Sequence, residues 1–142
     1  MIKREGLYCI LLVDDDDATN FIHEMVIKMA GIDTHIEICN SARKALDYLT
    51  CKGEYSANTS YPQPGIIFLD INMPGMSGWD FLKEYDTLPD EQRAKVVVSM
   101  LTTSLNPDDE QKGNSDPNVE RFIIKPLTAD KLIAIVDANF KE

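Results

Sequence analysis

The stretch Gly65-Ile66-Ile67-Phe68-Leu69-Asp70-Ile71-Asn72-Met73-Pro74-Gly75-Met76-Ser77-Gly78 is where the architecture is read most directly. The run Ile66 to Leu69 is apolar without alternation, so both faces of the strand it forms must be covered, as in a parallel sheet between two layers of helices. It stops at a lone aspartate followed by a Pro-Gly turn. Ligands of open α/β sheets bind at the loops leaving the carboxyl ends of the strands, which places Asp70 for chemistry.

The same alternation of strand and helix extends in both directions. Tyr8 to Val13 is a second continuous apolar run, and Ala18 to Ala30 follows with Phe21, Ile22, Met25, Val26 and Met29 at helical spacing, stopped by Gly31. Thr34 to Cys39 reads as a short strand. Ser41 to Leu49 sets Ala42, Ala45, Leu46 and Leu49 on one helical face, with Asn40 or Ser41 as cap. Cys51 to Gly65 is polar and rich in Gly, Pro, Ser and Asn, a surface loop inserted before the Asp70 strand. Beyond that strand, Ser77 to Leu88 is a helix with Trp79, Leu82 and Tyr85 as inward candidates, ended by Pro89. Ala94 to Leu101 carries the strand signature Val96-Val97-Val98, Pro107 to Gly113 a short, weak and acidic helix, Val119 to Ile124 a fifth strand. Thr128 to Phe140 is the last helix, capped by Thr128, with Leu132, Ile133, Ile135 and Val136 as its apolar positions.

Five such units in 142 residues predict one domain, 1–142, with its core from about 7 to 140. The fold expected is α/β, a doubly wound (βα)5 flavodoxin-like arrangement with a five-stranded parallel sheet of order 2-1-3-4-5, each crossover being right-handed. In that order strands one and three are neighbours, and Asp14, Asp15 and Asp70 leave them into one crevice.

Composition excludes several classes. A formal charge of −10 opposes binding to a nucleic-acid backbone, which relies on clustered Lys and Arg. No apolar stretch reaches the roughly 20 residues of a membrane span, and the start lacks a secretory signal, so the protein is expected in the cytoplasm. Asn58-Thr59-Ser60 is then no glycosylation site. Cys9, Cys39 and Cys51 follow no CxxC spacing and predict reduced, structural thiols. His23 and His35 lie in no phosphohistidine motif, and a surface or half-buried structural role is expected of His23.

Three carboxylates in one crevice require a counter-charge. Two of them about 5 Å apart repel by roughly 3 kcal/mol at an effective dielectric near 20, and a hard divalent cation, Mg²⁺ or Mn²⁺, is the simplest answer. At the ends of the fourth and fifth strands stand Thr102 or Thr103, whose hydroxyl can donate to a phosphoryl oxygen, and Lys125, which Pro126 keeps out of the next helix.

In this order and spacing, Ile10-Leu11-Leu12-Val13-Asp14-Asp15, Leu69-Asp70-Ile71-Asn72-Met73-Pro74-Gly75-Met76-Ser77-Gly78, Leu101-Thr102-Thr103-Ser104 and Phe122-Ile123-Ile124-Lys125-Pro126 resemble the receiver domains of two-component response regulators, the CheY-like proteins. The resemblance spans nearly the whole chain. It implies that Asp70 accepts a phosphoryl group from a sensor histidine kinase or a histidine phosphotransfer protein. It implies further that Asp15 and Asp70 coordinate the metal through carboxylates, Asn72 through its backbone carbonyl and Asp14 chiefly through water. Thr102 and Lys125 would bind the phosphoryl oxygens and Phe122 would be the switch aromatic, with Asn72 and Ser104 influencing the phosphate's lifetime. The expected role is a stand-alone signalling protein, not an enzyme, either read by a downstream protein through the face of the fourth helix, fifth strand and fifth helix or passing its phosphoryl group onward in a relay. Asp15-Asp16-Asp17-Ala18-Thr19 also fits the DxDxT motif of haloacid dehalogenase-like phosphatases, with Asp15 as nucleophile. That alternative leaves Asp70 and its tail unexplained and finds no acidic pair after Lys125.

Overall fold

The computed structural model describes residues 3–55, 63–93, 98–102 and 106–140. The elements are β1 (Cys9–Val13), α1 (Asp17–Met29), β2 (His35–Cys39), α2 (Ala42–Thr50), β3 (Ile66–Asp70), α3 (Gly78–Tyr85), β4 (Val98–Thr102), α4 (Pro107–Ser115), β5 (Val119–Ile124) and α5 (Ala129–Asn139). The strands pair in parallel in the order β2-β1-β3-β4-β5, the predicted 2-1-3-4-5. Val96, Val97, Thr103, Ser104 and the sequon at 58–60 lie outside the described residues.

The two-residue period of a strand sorts the unbroken apolar runs onto two cores. Cys9, Leu11, Val13, Ile67 and Leu69 face α2 and α3, where Ala45, Leu46, Leu49, Phe81, Leu82 and Tyr85 cover them. Ile10, Leu12, Ile66 and Phe68 face α1 and α5, where Ile27, Leu132, Ile135 and Val136 lie. Three caps set helix starts: the Ser41 hydroxyl accepts from the Lys44 N–H, Ser77 and Asp80 form a reciprocal capping box, and Thr128 accepts from the Lys131 N–H.

Five expectations need correction. Most of the apolar stripe of α1 faces outward: Phe21 is 61% and Met29 80% exposed, only Val26 packs against the core, and Asn20, His23 and Ile27 are buried. His23 is therefore neither a surface nor a half-buried residue. In α3 the deepest side chain is Phe81; Leu82 and Tyr85 are buried as expected, but Trp79 is only half-buried. In α5 Ile133 is exposed. The segment after α2 is also less loop-like than its composition implies, because a short 3₁₀ turn at Gly53–Tyr55 buries Tyr55 against Tyr48, ring centroids 5.2 Å apart.

Helix α2 ends with Cys51 in the left-handed region at φ +56°, while the Lys52 N–H donates to the Asp47 carbonyl. Glycine is the residue suited to that position, since a Cβ there costs about 1–2 kcal/mol. Cys51→Gly is expected to stabilise the fold by about 0.5–1 kcal/mol after glycine's greater unfolded entropy is counted, read as a rise in melting temperature.

Candidate functional site

Strand register brings the key residues level at one sheet end. Val13 pairs with Leu69, Asp70 with Leu101 and Thr102 with Ile124, so Asp14, Asp70, Thr102 and Lys125 emerge side by side from β1, β3, β4 and β5. Asp14 and Asp70 are 1% and 6% exposed, an unusual burial for carboxylates, and Thr102 is 3% exposed, whereas Asp15 is exposed.

Lys125 joins two of these acids. Its Nζ lies 2.6 Å from Asp14 Oδ2 and 3.1 Å from Asp70 Oδ1. Burial disfavours the ammonium, but Asp14 and then Asp70 outweigh it and hold the Lys125 pKa above the ordinary lysine value. Burial, followed by the Asp14 charge, pushes the Asp70 carboxyl up, while Lys125 and the Asn72 backbone N–H pull against it. Asp14 Oδ1 also accepts from the Asp16 N–H at 2.9 Å.

Asp14, Asp15 and Asp70 each offer an oxygen within 4.8 Å of the others. Three carboxylates against one ammonium leave two negative charges uncompensated. A hard divalent cation with oxygen ligands fits both the donor set and the charge. Asp16 is the N-cap residue of α1 and accepts from Thr19 Oγ1 at 2.5 Å, which ties the DxDxT stretch into the helix start.

The turn after Asp70 is closed by the Gly78 N–H donating to the Ile71 carbonyl at 2.8 Å, with Gly75 at φ +79°, where a side chain would be strained. Phe122 is half-buried and its ring lies 6.2 Å from that of Trp79. The Trp79 Nε1–H donates to Asp109 Oδ1 at 3.1 Å, and Lys112 Nζ sits 5.6 Å from the indole centroid.

Sequence reasoning missed Asn20, His23 and the Trp79–Asp109 pair. Asn20 Nδ2–H donates to the Asp14 carbonyl at 2.9 Å, and His23 Nε2 accepts from the Leu127 N–H at 3.2 Å. Among the described residues Asn20 Oδ1 and His23 Nδ1 are buried without a partner. Each such atom costs about 1–3 kcal/mol, which an apolar side chain would avoid. The sequence held little signal for them, because α1 also carries Asp17, Thr19, Glu24 and Lys28, and nothing in the spacing marks Asn20 and His23 as the buried polar pair.

Comparison with known proteins agrees with this geometry. A family model described as "Response regulator receiver domain" matches residues 10–137. Response regulator Rcp1 of Synechocystis sp. is 39% identical over 100 residues, covering 70% of this chain and 65% of that protein, just under two thirds of its length. A two component response regulator from Cytophaga hutchinsonii superposes with a TM-score of 0.80 at 30% identity, covering 94% of this chain and 97% of that one. The Mn²⁺-bound form of response regulator Rcp1 does so with a TM-score of 0.71 at 30% identity, covering 92% and 90%. The matches are response regulators, so the dehalogenase-like reading of Asp15 falls away. With its sheet order, its strand-end residues and these likenesses in agreement, the chain belongs to the response regulator receiver domains of two-component systems.

Proposed function

We propose that this receiver domain takes a phosphoryl group onto Asp70 from the phosphohistidine of a kinase or phosphotransfer protein. The observation that carries the reading is the buried Asp70 carboxylate at a strand end, held beside Asp14 by one shared ammonium. An Asp70 oxygen attacks phosphorus, the P–O bond forms as the P–N bond to the donor imidazole breaks, and an aspartyl phosphate results. Asp14, Asp15, Asp70 and the Asn72 carbonyl would hold Mg²⁺ or Mn²⁺. The Mn²⁺-bound Rcp1 relative supports that choice of ion. When bound, the cation neutralises charge on the transferred oxygens.

The chain's own groups do the rest. Lys125 spans two carboxylates; phosphorylation removes the carboxylate charge of Asp70 and brings a dianionic phosphoryl group within reach of the same ammonium. Thr102, at the end of β4, offers a hydroxyl to a phosphoryl oxygen. Its movement makes room for Phe122, whose ring lies beside Trp79, itself bonded to Asp109 of α4, so the change reaches the α4-β5-α5 face where a downstream protein would read it. No described helix is long and apolar enough to cross a membrane, and a cytoplasmic place of action accords with a kinase partner.

Incubation with acetyl phosphate and Mg²⁺ followed by intact-mass measurement is expected to show one phosphoryl adduct, mapped to Asp70 and lost in Asp70→Asn or with chelator. A protein left unmodified, or an adduct on Asp15, would refute the reading.

A further inference from the structure

The inward face of α1 carries two polar side chains that the phosphoacceptor mechanism does not use. Asn20 and His23 are 2% and 1% exposed. They lie three residues apart, on one face of the helix. Each bonds a different active-site segment: Asn20 takes the carbonyl of Asp14, and His23 takes the N–H of Leu127, 104 residues away in sequence.

The Leu127 bond matters because of what precedes it. Lys125 is followed by Pro126, which has no N–H, so Leu127 supplies the first backbone donor after the lysine. On the other side, the Lys125 N–H donates to the Thr102 carbonyl at 2.7 Å. The segment Lys125-Pro126-Leu127 is thus tethered at both ends, to β4 and to α1. The Lys125–Asp14 ion pair and the Asn20–Asp14 bond complete a ring that returns to α1.

We propose that His23, with Asn20, is a positioning residue for phosphoryl transfer: it fixes the Lys125 segment relative to Asp14 and Asp70 through the Leu127 N–H. A lysine stem has four rotatable carbons, and its ammonium is placed only as well as its backbone is. The role requires neutral imidazole with its proton on Nδ1, because Nε2 must accept. Burial supports that form by holding His23 below the usual imidazole pKa, with the Lys125 charge adding and the Asp14 charge opposing. The unpartnered Nδ1 and Asn20 Oδ1 make the pair a poor choice for stability alone.

The inference rests on the phosphoacceptor reading. The test compares the full chain with His23→Gln, whose amide oxygen replaces Nε2 as acceptor, and His23→Leu, which has no acceptor. Each is tested alone and in a Lys125→Ala background. With acetyl phosphate and Mg²⁺, His23→Leu is expected to slow Asp70 adduct formation about tenfold, and His23→Gln to restore most of it. With Lys125 replaced, both variants should change the rate less than about twofold, because the group being positioned is gone. An equal slowing in both backgrounds, or a lowered melting temperature with an unchanged rate, would overturn the assignment. Should His23→Leu not fold, ¹⁵N spectra of the wild-type ring decide: the Nδ1–H tautomer at neutral pH is expected, and the Nε2–H tautomer or imidazolium would overturn it. A wild type that takes no phosphoryl group defeats the parent reading; a wild type that takes it while His23 variants do not matter defeats this one alone.

Discussion

Asp70→Asn is expected to raise the melting temperature of the metal-free protein by about 5 °C while abolishing phosphoryl acceptance. The Asp14 and Asp70 carboxylates offer oxygens within 4.8 Å of each other, a repulsion of about 3.5 kcal/mol at an effective dielectric of 20. Lys125 offsets part of this but is shared between them. Asparagine keeps the shape, keeps an oxygen for the Asn72 N–H, and leaves Lys125 paired with Asp14, so about 1–2 kcal/mol should be recovered. Mg²⁺ at millimolar concentration should stabilise the wild type and do much less for the variant. A variant melting below the wild type without metal would contradict this account of the site.

The pH dependence has a definite sign. Burial first, and Asp14 second, raise the Asp70 pKa above 3.8, so the folded protein holds this proton more tightly than the unfolded chain does. The metal-free wild type therefore recovers stability relative to Asp70→Asn as pH falls through the folded pKa towards 3.8, and the gap closes across that window.

The second large effect is expected at Trp79. Among its described side chains α4 buries none, and its one half-buried residue is Asp109, the partner of the indole N–H. Nine residues reading Pro-Asp-Asp-Glu-Gln-Lys-Gly-Asn-Ser are too few and too poor in helix formers to hold a helix in water unaided. Asp109 and Lys112, one turn apart, bracket the indole, so Trp79 adds to the packing of α4 along β5 the side-chain contacts expected to steady the helix. Trp79→Ala should strip α4 amides of protection, at least about tenfold by hydrogen exchange, while β1 and β3 amides keep theirs. Trp79→Phe should fall between, retaining the ring contact with Phe122 but not the bond to Asp109. Unchanged α4 exchange in Trp79→Ala would show that other contacts hold the helix.

The sheet was legible because a strand buried on both faces leaves an unbroken apolar run; the order 2-1-3-4-5 is one of the doubly wound orders, which right-handed crossovers allow but do not fix. The places of the strand-end acids and Lys125 were legible because a polar residue directly after such a run has one place to go, whereas composition leaves Thr102 and Thr103 equal at the end of the fourth strand. The orientation of α1 was not. Phe21, Ile22, Met25, Val26 and Met29 make a helical stripe as good as any core face, yet the turn of the helix follows the bonds of Asn20 and His23 to segments 6 and 104 residues away. Partners that distant leave no periodic trace. Trp79 reads as core by hydropathy, and only the polar sequence of α4 gives it another use.

The three cysteines differ in a way that provides an experimental handle. Cys9 and Cys39 are fully buried beside the hydroxyls of Tyr48 and Tyr55, and burial pushes the Cys9 thiol up to about 11, far from the reactive thiolate. Cys51 alone is exposed, at the end of α2. The native chain thus carries one accessible thiol for an acceptor dye and one tryptophan as donor, at α3. That pair forms a built-in spectroscopic ruler, able to follow α3 against the α2 terminus during the proposed phosphoryl transfer without a single engineered residue.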